Sequence, residues 1–214
     1  MEEDDIFLKL RETFYSCRNF EINNLWQKSV LLTAFFVLDF TVYVNIVAKL
    51  FDIEMNSQTA VVLHEICSAL GIIGIVFSII WIMMAKGSKA WYELYEAAIC
   101  GIERDKELKI PEEYIMGEIY SAKPIDNKIL TNNAGSYSPS KLNIVVGRIL
   151  LIIWIVIYFI HLLFEIIWII NAYNSNICPL LHCCISLLSF IMVITIYFTS
   201  KLNTWAKSSF LTNQ

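Results

Sequence analysis

The sequence predicts an all-α, polytopic membrane protein with four transmembrane helices and an α-helical cytoplasmic cap. Three observations carry that prediction. Of 214 residues, 57% are hydrophobic and only 17% charged, against about 45–50% and about 25% in a soluble domain. The mean hydropathy is +0.58, and a chain this short has little room for a core large enough to hide the excess. Four stretches also reach the roughly 20 mostly apolar residues that a spanning helix needs. Buried helices of a soluble bundle rarely stay apolar around the whole circumference for that length. With 7 Gly and 4 Pro the chain is neither collagen-like nor disordered. A pI near 5.4 argues against a nucleic-acid partner held by bulk charge.

The elements follow in order. Residues 1–28 place Phe7, Leu10, Phe14 and Cys17 at helical spacing, with Lys9, Arg11, Glu12 and Arg18 elsewhere on the wheel. This reads as an amphipathic helix. Its polar face is as acidic as it is basic, which favours packing on other cytoplasmic helices over lying on the membrane. The acidic start Met1-Glu2-Glu3-Asp4-Asp5 is unlike the basic start of a signal peptide. Transmembrane helix 1 covers 29–50, interrupted only by Asp39 and Lys49, and an outer loop covers 51–61. Transmembrane helix 2 covers 62–85. The cytoplasmic helical region 86–146 begins with Trp91, Leu94, Tyr95, Ala98 and Ile102 on one face, so helix 2 should continue past the membrane. A second short helix is expected over Pro111–Tyr120, and residues 121–140 read as loop. Ser138 and Pro139 suit the cap and first position of the next helix. Transmembrane helix 3 covers 147–170, an outer loop 171–177, transmembrane helix 4 residues 178–200 with Pro179 in its first turn, and a tail 201–214.

Lys and Arg set the orientation. Residues 1–28, 86–148 and the tail hold fifteen of the 16, and the two outer loops hold none. Both termini and the long loop are therefore expected in the cytoplasm.

Three patterns at the borders of the spans resemble one known family. The first is Arg18-Asn19-Phe20-Glu21-Ile22 with Trp26 and Lys28. The second is Gly87-Ser88-Lys89 with Trp91 and Tyr95-Glu96. The third is Tyr137-Ser138 with Ser140-Lys141-Leu142-Asn143, and Gly117 and Tyr120 fit the middle of the loop. In order and placement they are similar to the RipA family of octameric bacterial inner-membrane proteins, over roughly residues 14–160. The resemblance implies a homo-oligomer, an octamer, in the bacterial inner membrane with a cytoplasmic cap, and it implies no chemistry. The residues themselves suit an assembly role. Arg18, Glu21, Lys89, Glu96, Ser140, Lys141 and Asn143 could form a charged, hydrogen-bonded layer beside Trp26, Trp91 and Tyr95. Plain interfacial anchoring is the alternative. Gly87-Ser88-Lys89 is no phosphate loop, since Ile82 stands where the upstream glycine is needed.

Ionisable residues within spans are costly and usually face protein or water. Trp154, Tyr158, His161, Glu165 and Trp168 form one stripe, and His161 and Glu165 can touch at i, i+4. His64, Ser68, Gly71 and Ser78 form another, with Glu65 beside it; His182, Ser186 and Ser189 form a third. Asp39 lies one turn from Tyr43. These residues read either as glue between helices or as a proton or ion path with His as its pH-sensitive part. A zinc site would need three or four converging ligands; His64, His161, Glu165 and His182 could converge, but this is the least favoured reading and no metal is assigned. Gly74 and Ser78, with Gly71, suit close helix packing. The six cysteines contain no C-x-x-C pair and read as packing residues, although Cys178, Cys183 and Cys184 lie toward the outside.

The sequence thus favours a non-enzymatic, homo-oligomeric membrane scaffold or envelope/stress-adaptation factor, without cofactor or metal. Its expected partners are the lipid bilayer, further copies of itself and an unidentified cytoplasmic protein. The alternative is an ion or proton channel or transporter gated through His161 and Glu165.

Overall fold

The computed structural model describes residues 3–51, 56–105, 108, 110–111, 114–116, 137–171 and 179–202. Its elements are four helices: α1 (Glu3–Lys49), α2 (Ser57–Glu103), α3 (Pro139–Asn171) and α4 (Pro179–Leu202). All four are long and apolar enough to cross a membrane, and there is no strand among the described residues. The expected short helix over Pro111–Tyr120 with Gly117 and Tyr120, the loop at 121–136, the second outer loop, Cys178 and the end of the tail lie wholly or largely outside the described residues.

The sequence divides the N-terminal amphipathic segment from the first span, but α1 is one helix of 47 residues. The division rests on a change in apolar content, and that change does not interrupt a backbone. No Gly or Pro occurs between residues 3 and 49, so nothing breaks the hydrogen-bond ladder. Polar side chains inside α1 bond back to the preceding turn: Thr13 to the Lys9 carbonyl (2.9 Å), Ser29 to Leu25 (2.8 Å), Thr41 to Val37 (2.6 Å) and Asn45 to Thr41 (2.7 Å). The α2 N-terminus is capped by Asn56, whose Oδ1 accepts from the Thr59 N–H at 2.7 Å. At α3, Ser138 Oγ faces the Lys141 N–H at 3.5 Å and Pro139 takes the first position, as its sequence suggests.

The chain folds as two compact units. The first comprises residues 1–32 and 81–146, the second residues 33–80 and 147–214. In the first unit the core is Leu25, Leu32, Trp81, Ala85, Ile99 and Ile144. In the second unit α2 and α3 approach closely at two glycines. A Cβ at Gly71 would stand 3.1 Å from that of Tyr158, and one at Gly74 would overlap the Trp154 indole. Trp154 also stacks on Phe40 (4.5 Å), and Phe35 stacks on Phe77 (5.2 Å). Cys17, Cys67, Cys100, Cys183 and Cys184 are free thiols.

Candidate functional site: buried polar networks in each unit

In the first unit, α1 and α2 meet through a repeated ion pair. Arg18 Nε donates to Glu96 at 2.8 Å, and Arg11 Nε donates to Glu103 at 2.7 Å. The two arginines are seven residues apart, as are the two glutamates, so the same contact recurs after two turns of each helix. Glu103 is 1% exposed and also accepts from the Tyr15 hydroxyl (3.0 Å) and the Met116 N–H (2.7 Å). It lies well beyond the apolar stretch that ends at Ala85. Burial alone would raise its carboxyl, but the Met116 N–H, Arg11 and Tyr15 outweigh that and hold it below the usual carboxylate range. Between the pairs, Phe14 stacks on Tyr95 (6.2 Å), which stacks on Trp91 (6.1 Å).

A second knot joins all three helices of this unit. Trp81 Nε1 donates to Asn143 Oδ1 at 2.6 Å, and Asn143 Nδ2 donates to Ser29 Oγ at 2.6 Å. Ser140 is buried and meets the hydroxyls of Tyr92 and Ser138. The segments that carry the family resemblance therefore converge. Arg18, Trp26, Glu96, Ser140 and Lys141 line one cleft of about 440 Å³. Lys89 pairs with Glu93 on its own helix rather than across the layer. Glu21 lies within electrostatic reach of Tyr95. Trp26 is 56% exposed.

Sequence reasoning missed Arg11, Tyr15, Glu103, Trp81 and Ser29 as members of this network. The available signal was the matched seven-residue spacing of Arg11/Arg18 and Glu96/Glu103.

In the second unit the intramembrane candidates form cross-helix pairs. His64 Nδ1 lies 2.8 Å from His161 Nδ1, and His161 Nε2 lies 3.1 Å from the Tyr43 hydroxyl. Both imidazoles are buried, and Phe164 stacks on His64 at 5.6 Å. These residues line a cleft of about 340 Å³ with Leu50, Phe51 and Trp168. Separately, Glu65 Oε1 bonds His182 Nδ1 at 2.7 Å. Glu165 is buried and accepts from Ser186 Oγ, and the Tyr158 hydroxyl meets Ser189 Oγ at 3.1 Å.

The expected contact of His161 with Glu165 is thus replaced by partners on other helices. The two side chains leave α3 one turn apart but toward different neighbours, His161 toward α1 and α2 and Glu165 toward α4. His64 and Glu65, adjacent on α2, divide the same way. Among the described residues no group of three or more His, Cys, Asp or Glu side chains is placed to hold a metal. Three buried polar atoms, Asp39 Oδ2, Ser68 Oγ and Trp154 Nε1, have no hydrogen-bond partner among the described residues.

Residues 8–164, well over half of the chain, match the Octameric membrane protein family (8xMP); α4 lies beyond the matched part. No curated protein and no solved structure matches the chain. With four candidate spans and this match, the chain is a membrane protein that belongs to the octameric membrane protein family.

Proposed function

We propose that the protein is a non-enzymatic homo-octamer of the bacterial inner membrane. In this reading the first unit is its cytoplasmic cap, and the assembly acts as a membrane scaffold or envelope/stress-adaptation factor. The observation that carries the proposal is the apolar surface a single chain leaves open. Val30, Leu38 and Val44 of α1 are 68%, 63% and 61% exposed, and Leu180 and Leu188 of α4 are 74% and 64% exposed. Only 11% of the most apolar window of α1 or α4 is buried, against 44% for α2. Such surface calls for lipid or further copies of the chain. The family's name supports the number of copies, and the likeness of the three border motifs to the RipA family supports the inner membrane. The placement of fifteen of the 16 Lys and Arg residues in the N-terminal segment, the long loop and the tail supports a cytoplasmic cap. Particle images and native mass measurements of the protein in nanodiscs should show eight copies. A monomer under the mildest extraction would overturn the proposal.

A second reading, a proton or ion pathway, is favoured by one specific observation: Tyr43, His161 and His64 join α1, α3 and α2 in an unbroken chain of hydrogen bonds. Wild-type protein in liposomes under a pH gradient should then carry flux, and no flux at any pH would remove this reading.

A further inference from the structure

We propose that Tyr43, His161 and His64 form a proton relay, loaded from the cleft at the end of α1 and continued by Asp39. The inference rests on the pathway reading above and gives it its ion and its residues. Two Nδ1 atoms 2.8 Å apart bond only when one of them, and not both, bears a proton. That leaves two arrangements of neutral rings. In one, His64 donates to His161, and His161 Nε2–H donates to the Tyr43 oxygen. In the other, the Tyr43 hydroxyl donates to His161 Nε2, and His161 Nδ1–H donates to His64. Each arrangement makes both bonds, with no side chain moved. The relay can therefore point in either direction.

The surroundings supply an entrance and a continuation. All three side chains line the cleft of about 340 Å³, which Leu50 and Phe51 border at the end of α1. Phe51 is 81% exposed, and in this proposal that end of the cleft is the relay's entrance. Away from it, the unpartnered polar atoms follow along the same helices. Ser68 is one turn on from His64, Asp39 one turn back from Tyr43, and Trp154 seven residues back from His161. Trp154 packs against Phe40 and Tyr43 of α1. Buried polar atoms without protein partners are where ordered water binds, and the proposed relay continues from Tyr43 to Asp39, one turn back on α1, through such water.

One transfer balances as follows. A proton from cleft water adds to His64 Nε2. The His64 Nδ1 proton passes to His161 Nδ1, and the His161 Nε2 proton passes to the Tyr43 oxygen. The original Tyr43 hydroxyl proton leaves through water to the Asp39 carboxylate. One proton enters, one reaches Asp39, and both hydrogen bonds end reversed; before a second transfer each ring must break these bonds and exchange its proton with cleft water, one taken up for each one released, to return to the first arrangement. The other titratable groups are Cys67, within electrostatic reach of Tyr43, and the set facing α4. Glu65 and His182 bond each other there, and Glu165 bonds Ser186. Glu165 is therefore off the relay.

The test is proton flux into liposomes holding a pH-sensitive dye, with the assembly of each variant checked by native mass. Tyr43→Phe keeps the ring packing and Asp39→Asn keeps the shape. Each should lower the flux by about tenfold or more, as loss of a positioned proton carrier does, while Glu165→Gln leaves it unchanged. Wild-type flux that survives both Tyr43→Phe and Asp39→Asn would overturn the relay and leave the pathway reading standing. Absence of wild-type flux would overturn both.

Discussion

Glu103 offers the sharpest test of how the first unit holds together. Its carboxylate is 1% exposed and accepts from Arg11, Tyr15 and the Met116 N–H. Replacing it with Ala strands three donors at once. Each hydrogen bond to a charged group is worth about 1.5–3 kcal/mol, and removing one partner of a buried ion pair costs about 3–5 kcal/mol. The Arg11 side chain is 31% exposed and can turn to water, which places Glu103→Ala at about 2–4 kcal/mol of local stability. Exchange of backbone amides at the N-terminal end of α1 and the C-terminal end of α2 should then accelerate by about 30- to 700-fold. Glu103→Gln keeps one acceptor and should fall between wild type and Ala. The same contact predicts a pH dependence. Because the folded carboxyl is held below its ordinary value, its contribution is complete above the unfolded value of about 4.3. It disappears as pH falls through the folded value. Protection of this region, corrected for intrinsic exchange, should therefore drop in acid in the wild type and much less in Glu103→Gln. An acceleration below about threefold in Glu103→Ala would refute the assignment of this carboxylate as the lock between α1 and α2.

Two further predictions test orientation and packing. In a cysteine-free background, a cysteine placed in 53–59 should react with an impermeant thiol reagent applied outside, and one in 125–135 should not; the reverse pattern would invert the proposed topology. Gly74→Ala puts a methyl into the Trp154 indole and should destabilise by about 1–3 kcal/mol. A Cβ at Gly87 meets nothing within 4 Å, so Gly87→Ala should stabilise by up to about 1 kcal/mol. Thermal unfolding in one detergent that moves both variants in the same direction would contradict this account of the α2–α3 contact.

Much of the fold is legible in the sequence because spans are a matter of composition and caps a matter of local chemistry. Apart from Leu50 and Cys178 at their edges, the apolar stretches lie within α1, α2, α3 and α4, and Ser138-Pro139 marks the start of α3 as read. Of the stripe Trp154, Tyr158, His161, Glu165 and Trp168, the first four are buried on α3 and Trp168 is half-buried. The continuity of α1 was also written there, in the missing Gly and Pro, but a change of composition at residue 29 hides it. What no single helix can reveal is who pairs with whom. Arg11 finds Glu103, Trp81 finds Asn143 and His64 finds His161 across separations of 92, 62 and 97 residues. Those pairings depend on the register of one helix against another. In the second unit α2 and α3 also meet closely at Gly71 against Tyr158, a contact that sequence spacing does not encode.

The division of polar residues in the second unit bears directly on function. If these side chains served only to hold helices together, each should be satisfied by a partner, because an unmade bond in a buried site costs about 1–3 kcal/mol. The α4 side meets that expectation: Glu65 with His182, Glu165 with Ser186 and Tyr158 with Ser189 are closed pairs. The α1 side does not. There His64, His161 and Tyr43 are linked, yet Asp39 and Trp154 each keep a buried polar atom unpartnered among the described residues. One turn of α1 separates Tyr43 from Asp39. The unpaired atoms thus continue the paired ones rather than scatter. Glue accounts for the α4 side alone. On the proposed pathway reading the side facing α1 is the path, where Asp39 and Trp154 keep polar atoms beyond the bonds they make and where the cleft at Leu50 and Phe51 ends. On that reading, substitutions of the polar groups facing α4 should weaken packing and leave proton flux intact, whereas Tyr43→Phe and Asp39→Asn should lower the flux with the assembly retained.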